Sequence, residues 1–115
     1  MSSEALAFAV AATRPAEDQA VVTITGELDL TSAEQARPVL LEALRRPIVV
    51  LDLSECTFCD SSGLRLILTA ARQAATSEHT FRIAHASPAV ARSFELIGLD
   101  AVLHSYPDVA AALVG

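Results

Sequence analysis

Two hydroxyl groups stand side by side at Ser61 and Ser62, with Asp60 before them and Gly63 after, where a β-branched apolar run gives way to helical spacing. Asp60 is a natural N-cap, which puts Ser61 at N1, Ser62 at N2 and Gly63 at N3. Both hydroxyls then lie among free backbone N–H groups at the positive end of a helix. The chemistry such a place favours is anion binding, whether of a free ion or of a phosphate attached to a serine. Capping alone also accounts for the aspartate and the two serines, since all three suit a first turn. It does not account for Gly63, which costs roughly 1 kcal/mol in a helix relative to Ala. A glycine there implies that something approaches the backbone closely, and a modifying enzyme reaching for the serine is one reading.

A second polar stretch, "GELDLTSA" from Gly26 to Ala33, also sits where a strand runs into a helix. If the two strands are parallel, both strand-to-helix turns lie at one edge of the sheet, and Glu27, Asp29 and Asp60 gather near Ser61. A capped loop with solvated carboxylates is the alternative. Cys56-Thr57-Phe58-Cys59 spells C-x-x-C, which suits a redox pair or half of a zinc site. No second such motif exists, and His79, His85 and His104 lack metal-ligand spacing, so buried thiols acting as small hydrophobes are the preferred reading and no metal is expected. "CDSSG" lacks the first glycine of a nucleophile elbow, and four scattered glycines make no nucleotide loop. With no catalytic base identifiable, an enzyme is not expected.

The elements that must position these residues are set by composition and period. The chain has 115 residues, read as one domain over 1–115. It is 52% hydrophobic but 4% aromatic with no Trp, so its core is built from Ala, Val, Leu and Ile. All 8 basic residues are Arg, against 14 acidic ones, for a net charge of -6. The absence of Lys excludes Schiff-base and P-loop chemistry, and the acidic balance argues against nucleic acid or an anionic membrane as partner. "MSSEALAFAV" has no basic n-region and no apolar run reaches about 18 residues, so a cytoplasmic protein with reduced thiols is expected.

Residues 5–12 read as a first strand and 20–26 as a second, forming an antiparallel hairpin around the turn "RPAED". "TSAEQARPVLLEALRR" is a helix opened by a Thr31–Glu34 capping box and weakened by Pro38. "PIVVLDLS", 47–54, is expected to be a strand covered on both faces or central in a sheet. Leu64, Ile67, Leu68 and Ala71 give the following helix its apolar stripe. Residues 80–86 form a fourth strand; Ser87, Pro88 and Gly98 then cap, open and stop a helix, and a last short strand and helix come after it. Alternation of this kind implies a mixed α/β sheet.

"GELDLTSA", "VVLDLSECTFCDSSGLRLIL" and "SPAVARSFELIGLD" resemble, in order and spacing, the bacterial anti-sigma factor antagonists, small proteins built on the STAS domain. The resemblance runs from about Val21 to Val114. It implies an α/β fold with a STAS-type mixed β-sheet of four to five strands and about four helices packed against it. It also implies a phosphorylation switch without a cofactor: Ser61, or less favourably Ser62, accepts phosphate from an anti-sigma factor that is itself a serine kinase. The unphosphorylated form binds that kinase and frees a sigma factor, and a PP2C-type phosphatase restores it. Glu27, Asp29, Thr31, Asp60, Ser62 and Gly63 would be the partner-binding residues, with no nucleic acid and no membrane involved. A STAS scaffold of a stress-sensing complex, the soluble subunit of a lipid-transport ABC system and a nucleotide-binding module are the alternatives.

Overall fold

The computed structural model describes residues 7–115. Five strands, β1 (Ala9–Thr13), β2 (Gln19–Leu28), β3 (Ile48–Cys59), β4 (Thr80–Ala84) and β5 (Ser105–Tyr106), form one sheet in the order β1-β2-β3-β4-β5. β1 is antiparallel to β2, Ala9 facing Thr25, and every later pairing is parallel. The helices α1 (Leu30–Ala43), α2 (Ser61–Thr76), α3 (Pro88–Leu96) and α4 (Val109–Val114) connect or follow the strands, with a 3₁₀ turn at Leu99–Ala101 that the sequence reading did not expect. The mixed sheet and four helices are those anticipated. The start of the expected first strand, residues 5–6, lies outside the described residues.

The alternation of strand side chains divides the core in two. Val22 and Ile24 of β2, Val49, Leu51 and Leu53 of β3 and Phe81 and Ile83 of β4 face the large cluster, closed by Ala36 and Leu40 of α1, Ile67 and Ala70 of α2 and Phe94 of α3. Val21, Val50 and Ala84 point the other way and are covered by Ala112 of α4. Alanine on the packing faces of α1 and α2 lets the helices lie close to the sheet. No helix among the described residues is long and apolar enough to cross a membrane.

Several local expectations are corrected. α1 is not capped by Thr31 and Glu34, which are both exposed. Asp29 is the N-cap and its box partner is Ser32, because Ser32 is buried and needs partners that a capping box supplies. Helix α1 runs through Pro38 without ending, and β3 runs to Cys59, so both cysteines belong to the strand. The buried stripe of α2 is Gly63, Leu64, Leu66, Ile67, Ala70 and Ala74, while Leu68 and Ala71 are half-exposed. Rotating the stripe this way turns Gly63 inward.

β3 carries one more residue than β2 at each of two points, between the pairs Thr23–Asp52 and Thr25–Glu55 and between Gly26–Cys56 and Glu27–Phe58. Each bulge shifts the facing of the residues beyond it. On the face of the large cluster, buried positions therefore change from every second residue, at Val49, Leu51 and Leu53, to every third, at Leu53, Cys56 and Cys59.

The helix α4 has six residues, too few to be stable alone. Arg82 on β4 fastens it, donating from Nη1 to the Ala112 carbonyl at 2.7 Å while its guanidinium lies 5.8 Å from the Tyr106 ring centre. Replacing Arg82 with Ala is expected to cost about 1–3 kcal/mol, since a charged hydrogen bond and a cation–π contact go together. Hydrogen exchange should show the amides of Ala112–Val114 losing protection before those of β3. Uniform loss across the sheet would contradict this.

Candidate functional site

The candidate site is assembled where β2 and β3 end side by side. Leu28 pairs with Cys59, and the next backbone N–H, that of Asp60, donates to the Leu28 carbonyl at 3.0 Å. Parallel pairing thus brings the Asp29 turn and the Asp60 turn to the same sheet edge, as the sequence spacing required. Ser32 fastens the first turn. Its Oγ accepts the Asp29 N–H at 2.7 Å and lies 2.7 Å from the Glu27 carbonyl and 2.9 Å from Asp29 Oδ1, so its single proton serves one of those two acceptors. The Ser32 N–H donates to Asp29 Oδ1 at 2.9 Å. These bonds, first from the Ser32 backbone and then from its hydroxyl, hold the Asp29 carboxyl below its ordinary value.

The second turn is built by Asp60. Its Oδ1 accepts the N–H groups of Ser62 at 2.8 Å and Gly63 at 3.0 Å, and its carbonyl accepts that of Leu64 at 2.9 Å. Two of the donors that made this helix start attractive to an anion are therefore engaged by the carboxylate of the cap. Ser61 is exposed, Ser62 half-buried and Gly63 buried. Of the remaining expected partner-binding residues, Glu27 and Thr31 are exposed, and Asp29 and Asp60 half-exposed.

Gly63 answers the question its position raises, and the answer is internal. A Cβ at this residue would lie 2.7 Å from Cys59 Sγ, 2.8 Å from Leu28 Cγ and 2.8 Å from the Leu28 carbonyl oxygen. The close approach is that of β2 to the first turn of α2, not of an enzyme from outside.

Sequence reasoning missed the apolar part of this surface. Leu30, which opens α1, and Phe58, near the end of β3, are 65% and 51% exposed. Beside Ser61 lies a shallow depression of about 200 Å³ lined by Leu64, Arg65, Leu68 and Ile97. Arg65 stands four residues after Ser61, a helical spacing that puts both on one face, and this signal was available. Phe58 was legible as well, because alternation continued from Leu53 turns residue 58 away from the main core, and the two bulges together keep that phase.

Both cysteines are free and buried. Burial, followed by the nearby Cys56 and Asp60, pushes the Cys59 thiol up to about 12, and burial raises Cys56 as well. Thiols held protonated in this way are poor nucleophiles. Among the described residues no group of three His, Cys, Asp or Glu could hold a metal ion.

The family model described as "Mlab, STAS domain" matches residues 11–105. The chain belongs to the STAS domain family, the family of the anti-sigma factor antagonists. An anti-sigma factor antagonist from Mycobacterium paratuberculosis shares 25% identity at a TM-score of 0.84, over 94% of this chain and 92% of that one. The antagonist SpoIIAA in its unphosphorylated form shares 24% identity at 0.76, over 90% and 92%. The phosphorylated form, described as a Bacillus cell fate determinant, gives 23% and 0.72, over 90% and 96%. The fold also occurs in a sulfate transporter family protein from Wolinella succinogenes, at 12% identity and a TM-score of 0.76, over 89% and 87%.

Two outcomes are expected. Gly63→Ala should lower the stability of the isolated protein by about 1–3 kcal/mol despite a helix-propensity gain near 1 kcal/mol, because the new methyl has no room. A rise in melting temperature would show that the glycine serves something other than this packing. At pH 8 a thiol with pKa about 12 is ionised to roughly one part in ten thousand. Ellman's reagent should therefore leave Cys59 untouched in the native protein and titrate both thiols in denaturant.

Proposed function

We propose that this protein is an anti-sigma factor antagonist whose binding of a kinase partner is switched by phosphorylation of Ser61. The observation that carries this reading is the placement of Ser61. It is an exposed hydroxyl at the first position of a capped helix, beside the Asp29 turn, on an edge where Leu30 and Phe58 offer apolar surface to a partner. Ser62, with its backbone N–H tied to Asp60 and its side chain half-buried, is the less accessible acceptor. The Mycobacterium antagonist and the two forms of SpoIIAA lend support by likeness.

Physically, the switch needs no rearrangement of the sheet. Phosphate adds about -1.5 to -2 charges beside Asp60. Against a partner carboxylate at about 5 Å, each unit pair costs roughly 3 kcal/mol at an effective dielectric near 20. A hundredfold loss of affinity needs about 2.7 kcal/mol. Glu27, Asp29 and Thr31, on the neighbouring turn, would share the contact surface. A second reading, a STAS domain serving a transport system, draws on the shared fold of the Wolinella succinogenes protein.

The decisive experiment incubates the protein with ATP and candidate serine kinases encoded in its host and maps the phosphate by mass spectrometry. Phosphate on Ser61 is expected, together with at least a hundredfold weaker binding of the same kinase by Ser61→Asp. Modification confined to residues other than Ser61 and Ser62, or undiminished binding by Ser61→Asp, would overturn the proposal.

A further inference from the structure

Helix α1 carries a proline that the Ser61 surface does not use. Pro38 removes the hydrogen bond its N–H would have given to the turn before it, and its ring is exposed. The ring borders a groove of about 500 Å³ between β1 and the C-terminal half of α1. The groove is floored by Ala12, Ala20, Val39 and Ala43. It exists because three of these four side chains end at Cβ where strand and helix meet, leaving space that neither can fill. Its volume lies in the range of small-molecule sites, and its floor is apolar.

The rim is charged. Arg14, just after β1, and Arg46, just after α1, line it from opposite walls, and Glu42 lines it as well. Glu42 is paired with Arg45, its carboxylate 3.4 Å from the guanidinium. Arg14 and Arg46 form no salt bridge among the described residues. With Glu42 offset by Arg45, the unpaired charges of the rim are the two arginines, in a chain whose net charge is -6. Such a rim attracts an anion, guanidinium groups bind a carboxylate with two parallel hydrogen bonds, and the apolar floor suits a ligand whose charge sits at one end of an apolar body.

We infer that the groove between β1 and α1 binds small amphipathic carboxylates, the apolar body lying on the alanine and valine floor beside Pro38 and the carboxylate held between Arg14 and Arg46. The site is remote from Ser61. From Ala20 to Leu28 strand β2 advances eight residues, about 26 Å at 3.3 Å each, so the ligand and a phosphate on Ser61 do not compete for the same surface. The inference therefore stands or falls independently of the function proposed above.

The test titrates the ¹⁵N-labelled protein with decanoate, decanol and acetate and follows amide shifts. Decanoate should saturate below about 1 mM, with shifts concentrated at Ala12, Ala20, Val39 and Ala43, and should bind at least tenfold tighter than either decanol or acetate. Binding should weaken about tenfold in an Arg14→Gln, Arg46→Gln double variant and as salt rises. Ala12→Leu, on the exposed edge strand, should abolish it by filling the groove while leaving the melting temperature near that of the wild type; Ser61→Asp should leave binding unchanged. Decanoate that fails to saturate below about 10 mM, shifts that map elsewhere, or decanol binding as tightly as decanoate would overturn the assignment.

Discussion

The Leu28 carbonyl is the point on which the arrangement of the site depends. It accepts the Asp60 N–H and lies 2.8 Å from where a side chain at Gly63 would begin. One oxygen thus joins the end of β2 to both the cap and the first turn of α2. If α2 stood farther away, as a Cβ at Gly63 would require, that turn would separate from Leu28 and the Asp29 turn from Ser61. The cost of glycine in a helix is accepted here because the alternative is steric overlap with backbone, which cannot move as a flexible side chain would. Cys59 belongs to the same contact: its sulfur packs under Gly63, which explains a buried, protonated thiol at the strand end.

The two bulges of β3 prepare that contact. With strict alternation from Leu53, residues 55, 57 and 59 would face the core, which would bury Glu55 and Thr57 and leave Cys56 outside. The first inserted residue instead exposes Glu55 and buries Cys56, and the second restores the phase, so that Thr57 is exposed while Cys59 faces the core and Phe58 the surface. A strand that begins as core thus ends as a platform for the site, with an aromatic ring available to a partner. Bulges at this end of a strand re-aim side chains without breaking the pairing to the neighbour.

How much of this was legible in the sequence depends on the range of the interaction concerned. The helix boundaries set by local chemistry read correctly: Asp60, Ser87 and Gly98 act within a few residues, and Gly98 has the positive φ of 75° that stops a helix. The meeting of the two acidic turns was also legible, because it follows from parallel pairing alone. Asp29 was displaced as a cap by Thr31 because a Thr–Glu box is the commoner spelling, and only the burial of Ser32 reveals the other choice. Gly63 was recognised as a close approach, but its partner lay thirty-five residues away at Leu28, and no local pattern could say whether that partner was inside or outside the chain. The phase of α2 was misread for the same reason, since a glycine was not counted among the residues that face the core.

The way Asp60 is used also bears on how a charge at Ser61 would be felt. A helix start usually welcomes an anion by offering free N–H groups, yet here those of Ser62 and Gly63 already donate to the cap carboxylate. A phosphate on Ser61 would therefore find little of a cradle in the backbone. It would have the remaining dipole field and Arg65, one turn along on the same face. An exposed arginine pair in water contributes at most about 1 kcal/mol, which is less than the repulsion of one desolvated like-charge contact at about 5 Å. The added charge would be left standing outward, on the exposed surface that it shares with Leu30 and Phe58, instead of being absorbed by the domain. By occupying the anion site itself, the capping aspartate makes this helix start a presenter of negative charge more than a receptor for it.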